Sequence, residues 1–99
     1  MMSDDAPIVG LLTAEVYVSD ALTLKDKRSV VKGLLDRLAH RLNVAVAEVG
    51  DLDSHRNAVI AITTVANDAA HVQRVLEACR SVIDSEPRAV MEDSTLELL

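Results

Sequence analysis

Hydrophobic and polar residues alternate with a period of two near the start of the chain. Between Ile8 and Val18, one set of alternate residues is apolar and the other mixes apolar with polar side chains. The apolar set is Ile8, Leu12, Ala14, Val16 and Val18, and the mixed set is Val9, Leu11, Thr13, Glu15 and Tyr17. This pattern predicts a β-strand with one buried face and one mixed face.

The pattern then changes to helical spacing. Thr23 is a suitable N-cap, and Asp26 three residues later completes a capping box. Apolar residues recur every three to four positions, at Val30, Val31, Leu34, Leu35, Leu38 and Leu42. A helix is therefore predicted from Thr23 to about Leu42, with Asn43 as its C-terminal stop.

The remainder of the chain predicts two more strands, a second helix and a final strand. The strands are Val44 to Val49, Ala58 to Ala66 and Ala89 to Leu99, and Asn67 or Asp68 caps the second helix. This βαββαβ order predicts an α+β, ferredoxin-like sandwich with a four-stranded antiparallel sheet and two helices on one face. Residues 1–7 are predicted to be a flexible tail, and residues 8–99 a single domain.

One face of such a sheet is left uncovered by the helices. The residues predicted to lie on it are Leu11, Thr13, Glu15, Tyr17 and Glu48. A face that mixes apolar and charged side chains is often covered by a second copy of the chain. We therefore expect this face to be an oligomer interface, in a homodimer or a larger homo-oligomer.

Charge is distributed unevenly along the chain, which carries a net charge of −6. Residues 25–41 contain six cations and two acids, whereas the rest contains four cations and fourteen acids. On a helical wheel, Lys25, Arg28 and Lys32 share one face, and Lys27 lies on the apolar side of the first turn. Cations near a helix N-terminus oppose the macrodipole, so Lys25, Lys27, Arg28 and Lys32 are candidate phosphate or RNA contacts. The alternative is a solvated helix face with local ion pairing.

The sequence offers little support for catalysis or a metal site. Cys79 occupies an apolar helical position, and the three histidines lie on separate elements without metal-ligand spacing. Asp51-Leu52-Asp53-Ser54-His55 resembles the start of a calcium loop but lacks its glycine and its bidentate glutamate. We therefore expect a protein without catalytic residues, metal or cofactor.

Composition also bears on location and on the mode of binding. A single cysteine, no long apolar segment and no basic leader favour a cytoplasmic protein without membrane contact. The chain has one Tyr and no Trp or Phe, so base stacking is not expected.

Several segments of the chain resemble the YlxP-like family of small uncharacterised bacterial proteins. The resemblance rests on Val9 to Val16, Thr23 to Lys32, Asn43 to Val49, Asp51-Leu52, Arg56-Asn57-Ala58 and Val65 to Val72. It implies a ferredoxin-like domain without an established activity. It also implies RNA or the ribosome as a partner, because genes of this family tend to lie beside genes for translation initiation and ribosome maturation.

Two functions are therefore expected as alternatives. The first is a non-enzymatic module that associates with structured RNA or a ribosomal particle through the basic first helix. Its contacts would be to the backbone, with steep salt dependence and no readout of DNA sequence. The second is a structural or regulatory homo-oligomer with only protein partners.

Overall fold

The computed structural model describes residues 6–99, and the elements in that range follow the predicted order. They are β1 (Ile8–Tyr17), α1 (Leu24–Arg41), β2 (Ala45–Gly50), β3 (Asn57–Ala66), α2 (Ala69–Asp84) and β4 (Val90–Leu98). The strands form one antiparallel sheet in the order β2-β3-β1-β4. The α+β, ferredoxin-like prediction is confirmed. Of the predicted tail, Ala6 and Pro7 lie outside regular structure, and residues 1–5 fall outside the described range.

The core lies between the sheet and the two helices. The central strands β1 and β3 supply Leu12, Ala14, Val16, Ala58, Ile60 and Ile62, and all of these side chains are buried. Both helices pack onto this face, with Val31, Leu34 and Leu38 from α1 and Val72, Leu76, Cys79 and Ile83 from α2. The alternation along β1 therefore predicted its buried face correctly.

The start of α1 is held by the predicted capping box. The Asp26 amide donates to Thr23 Oγ1 at 3.1 Å, and the Thr23 amide donates to Asp26 Oδ2 at 3.2 Å. The Leu22 amide donates to the same carboxylate oxygen at 3.0 Å. These bonds lower the pKa of Asp26 below its ordinary value of 3.8, the largest contribution coming from the Leu22 amide.

Close approach of α2 to β1 requires a glycine on the strand. A β-carbon added to Gly10 would lie 2.8 Å from Leu76 Cδ1 and closer still to Val72. The break in the apolar series of β1 at Gly10 is therefore the point where α2 packs against the sheet.

The other face of the sheet points away from the helices. Leu11, Thr13, Glu15 and Tyr17 lie on it as predicted, and their neighbours on β2 and β3 are Ala45, Ala47, Ala61, Thr63 and Val65. We call this surface the open face.

The prediction that Glu48 belongs to the open face is wrong. In the register of β2 and β3, Glu48 pairs with Ile60, whose side chain is buried under the helices. Both faces of β2 carry apolar residues, Ala45, Ala47 and Val49 on one and Val46 on the other, so its own pattern does not show which face is covered. Pairing with β3 decides the orientation.

Candidate functional site

The exposed face of α1 carries three of the four predicted phosphate contacts. Lys25, Arg28 and Lys32 are exposed, and they fall on one side of the helix. Lys32 Nζ lies 2.8 Å from Asp36 Oδ2, and this hydrogen bond raises the pKa of Lys32. Within residues 6–99, no carboxylate lies within ion-pair distance of Lys25 or Arg28. The helix therefore presents two cations that the described part of the chain does not neutralise.

Lys27 does not belong to this surface, which corrects its prediction as a phosphate contact. Its side chain is 0% exposed, and its ammonium lies 2.7 Å from Glu48 Oε2 and 3.0 Å from the Asp51 carbonyl oxygen. The apolar position of Lys27 on α1 directs its side chain across the end of the sheet toward the loop after β2. Burial and pairing leave the ammonium unavailable to an external anion.

The buried ammonium fixes the loop between β2 and β3. Asp51 adopts a left-handed backbone conformation with φ 57°, which is uncommon for a residue other than glycine. Its carbonyl accepts a hydrogen bond from Lys27 and another from the Ser54 amide at 2.9 Å. The loop is therefore tied to the first turn of α1.

A cavity of about 450 Å³ opens beside this loop, at the end of β1. It is lined by Tyr17, Ala21, Leu22, Ser54, His55, Arg56 and Asn57, and we call it the loop cavity. Arg56 Nε donates to the Ala21 carbonyl at 3.1 Å, which connects the two loops that form the walls. Ser54 Oγ accepts from the Asn57 amide at 3.0 Å and from the Asn57 side-chain nitrogen at 3.3 Å. Within residues 6–99, no hydrogen bond is accepted by the side-chain oxygen Oδ1 of Asn57.

Arginines engage Asp20, in the loop before α1, and Glu86, in the loop before β4, whereas Asp51 and Asp53 beside the loop cavity have no ion-pair partner within residues 6–99. Asp20, in the loop before α1, accepts from Arg88 Nε at 3.1 Å and from Arg88 Nη2 at 3.3 Å. These hydrogen bonds raise the pKa of Arg88. Glu86 accepts from the Arg88 amide and from Arg37, and the two bonds lower its pKa. The loop before β4 is therefore anchored both to the loop before α1 and to α1 itself.

A second and larger cavity, of about 1010 Å³, separates α2 from the edge strand β4. Arg74 and Arg80 lie on its helix side, and Ser94 lies on its strand side. Arg80 Nε donates to Ser94 Oγ at 3.1 Å, and its Nη1 donates to Glu77. These bonds hold Arg80 in place, and the groove carries both signs of charge.

The structure bears on the cysteine thiol, on clusters of possible metal ligands and on membrane-spanning helices. Cys79 is fully buried between α2 and the sheet, and burial raises the pKa of its thiol to about 11. At ordinary pH this thiol is neither charged nor accessible. No cluster of three or more His, Cys, Asp and Glu side chains suited to a metal ion occurs within residues 6–99. None of the helices in that range is long and apolar enough to cross a membrane.

Sequence reasoning did not identify the loop cavity as a candidate site. Tyr17 was predicted on the open face, and Ser54-His55 was considered as part of a calcium loop, without a prediction that the two lie side by side. These segments are separated in sequence by the whole of α1 and β2, and only the antiparallel pairing of Tyr17 with Asn57 brings them together. The one available signal was the lone tyrosine at the end of a strand.

Two sequence comparisons with known proteins agree on the family. A family model described as "Protein of unknown function (DUF503)" matches residues 9–95. The chain is 30% identical over 80 residues to the uncharacterized protein YlxP of Bacillus subtilis (strain 168), covering 81% of this chain and 87% of that protein. Among solved structures, the de novo designed protein Foldit4 is similar over 95% of this chain and 94% of its own, with 14% identity and a TM-score of 0.49. The family match includes β1 from Val9 onward, α1 and the loop after β2. The chain therefore belongs to the DUF503 family of proteins of unknown function.

Proposed function

We propose that this protein is a cytoplasmic, non-enzymatic module that binds structured RNA, alone or in a ribosomal particle, through the exposed face of α1. The observation that carries the proposal is the pair Lys25 and Arg28, which are exposed and have no carboxylate partner within residues 6–99. Lys32 extends the same face, although Asp36 already pairs with it. A row of cations on one rigid helix suits the phosphates of an RNA duplex.

The electrostatic cost of placing these cations at the start of α1 supports a functional role for them. Lys25 lies in the first turn of α1, where the helix dipole disfavours positive charge by roughly 0.3–1 kcal/mol. Arg28 and Lys32 are four residues apart, so they repel each other along the helix. The capping box needs only Thr23 and Asp26, so the cations are not required to start the helix.

The proposal is tested by neutralising the two free cations. For the variant Lys25→Gln/Arg28→Gln, we expect weaker binding to ribosomal RNA fragments at low salt. The slope of log K against log salt should become less steep by about 2, since each phosphate contact contributes roughly one unit. Equilibrium binding by fluorescence anisotropy across a salt series measures both quantities. Because Gln favours helix and relieves the dipole, the variant should remain folded.

A matched control is available in Arg41→Gln/Arg74→Gln. These two exposed cations lie at the end of α1 and on α2, and their removal changes the net charge equally. If both variants lose the same affinity and slope, the binding reflects overall charge and the proposal is wrong. If neither variant nor the unmodified protein binds RNA, the proposal is also wrong.

The open face supports a second candidate function, that of a homo-oligomeric structural or regulatory protein. Val65 is 57% exposed on this face, and Ala45, Ala47 and Ala61 surround a shallow apolar depression of about 170 Å³. Such a surface is suited to contact with another sheet. This function is compatible with RNA binding because the open face and the exposed face of α1 lie on opposite sides of the sheet.

A further inference from the structure

We propose that the loop cavity receives an unpaired RNA base, which stacks on Tyr17 while the adjoining phosphates lie on Arg56 and on the start of α1. This inference deepens the proposed RNA-binding function and rests on it. It names the form of RNA recognised, a duplex next to a single-stranded nucleotide. It departs from the expectation, based on the aromatic-poor composition, that bases do not stack on this protein, because it assigns one stacked base to the only Trp, Tyr or Phe residue in the chain.

The cavity combines the groups that recognition of an unpaired base requires. Tyr17 supplies an aromatic ring, Arg56 a guanidinium group, and Asn57 a side-chain oxygen, Oδ1, that accepts no hydrogen bond within residues 6–99. Unpaired RNA bases are recognised by stacking on aromatic rings or guanidinium planes and by hydrogen bonds to their edges. The cavity is open to solvent, and its volume of about 450 Å³ leaves room for a base.

The loop cavity lies next to the start of α1, where the exposed cations begin. Leu22 lines the cavity and is 75% exposed, and Lys25 follows it by three residues in the first turn of α1. A strand leaving a duplex bound on α1 can therefore enter the cavity over the short loop before the helix. The tie between Arg56 and the Ala21 carbonyl holds the two walls of this path together.

Charge on the open face limits where the RNA can run. Glu15 lies two residues before Tyr17 on the same face, and Asp93 is its neighbour on β4. These carboxylates repel phosphates, and so does the exposed Asp53 beside Ser54, which has no ion-pair partner within residues 6–99. The phosphates are therefore expected on the side of the cavity formed by Arg56 and the start of α1. Asp20, which lies nearer the cavity, is engaged by Arg88. The bound RNA strand is consequently expected to end at the cavity and not to continue across the sheet.

Lys27 acts as a positioning residue for this site. Its ammonium holds the Asp51 carbonyl, and the Ser54 amide donates to the same oxygen, so the cavity wall that carries Ser54, His55 and Arg56 is fixed to α1. The buried lysine would thus contribute to RNA binding without touching phosphate.

The test compares two RNA hairpins with the same stem, one blunt and one with four unpaired adenosines at its 3′ end. We expect the unmodified protein to bind the extended hairpin on the order of 5- to 100-fold more tightly, as one stacked base provides. Tyr17→Ala should abolish this difference in affinity between the two hairpins. Tyr17→Phe should retain the difference because it keeps the ring.

A second readout does not depend on any variant folding. Because the chain has one tyrosine, 3-fluorotyrosine labelling gives a single ¹⁹F resonance that reports on residue 17 alone. The resonance should shift with the extended hairpin and remain unchanged with the blunt one. If both hairpins bind equally and the resonance does not respond to either, the base site is wrong and the proposed function stands. If neither hairpin binds, the proposed function is wrong, and this inference fails with it.

Discussion

At the scale of single residues, one helix turn contains cations with opposite roles. Lys25 and Arg28 are exposed to solvent, whereas Lys27 between them is completely buried against Glu48. A buried ammonium is stable only with nearly complete pairing, which the Glu48 carboxylate and the Asp51 carbonyl provide. Cations that are neighbours in the sequence therefore have different roles, because the helix directs Lys25 and Arg28 toward solvent and Lys27 toward the core.

The buried pair leads to an asymmetric prediction for stability. Glu48→Leu should cost about 3–5 kcal/mol, because it leaves the ammonium of Lys27 buried without a counter-charge. Lys27→Met should cost less, since Glu48 is 16% exposed and can reach water. Urea denaturation at neutral pH measures both. The double variant Lys27→Met/Glu48→Leu serves as the control and should recover stability close to that of the unmodified protein. The reverse order of the two single variants would contradict this view of the pair.

At the scale of elements, the sequence predicted where α1 begins but not which of its cations are exposed and which is buried. The capping box requires only residues close in sequence, so Thr23 and Asp26 were identified correctly from their spacing. Which faces of β2 and α1 are covered depends instead on neighbouring elements, as the corrections at Glu48 and Lys27 illustrate.

The capping box gives α1 a defined dependence on pH. The pKa of Asp26 is lowered from its ordinary 3.8 by backbone hydrogen bonds, so its stabilisation is fully present above pH 3.8. It is lost as the pH falls from 3.8 through the lower value of the folded state. The stability difference between the unmodified protein and Asp26→Asn should therefore be largest at neutral pH and shrink in acid. Urea denaturation between pH 7 and pH 2 measures it, and a constant difference across this range would be inconsistent with the predicted linkage.

At the scale of the whole molecule, charge and apolar surface lie on opposite sides. Cations line the exposed side of α1, whereas the open face combines apolar β2 and β3 with acidic residues toward β4. The apolar half of the open face, formed by β2 and β3, is suited to pack against the same half of a second copy. In such a dimer the acidic β4 edges of the two copies would lie far from each other.

This arrangement predicts a dimer that resists salt. Light scattering should give the mass of two 10.7 kDa chains at both low and high salt, because apolar contacts are not screened. The variant Ala47→Arg/Val65→Arg should be monomeric, since both side chains lie on the open face. Leu52→Arg is the control, as Leu52 is 50% exposed but lies in the loop after β2. A monomer at every concentration, or a dimer that dissociates as salt rises, would exclude this interface.

The sequence by itself determined the elements, their order and the fold, because period-two and helical patterns and a capping box depend on residues close along the chain. It also located the buried face of β1 and the burial of Cys79. The tertiary structure decided which cations are free, which face of β2 carries Glu48, and where Tyr17 meets the loop after β2. Lys27 and Glu48 are 21 residues apart and Tyr17 and Asn57 are on paired strands, so these contacts exist only once the sheet and helices have packed.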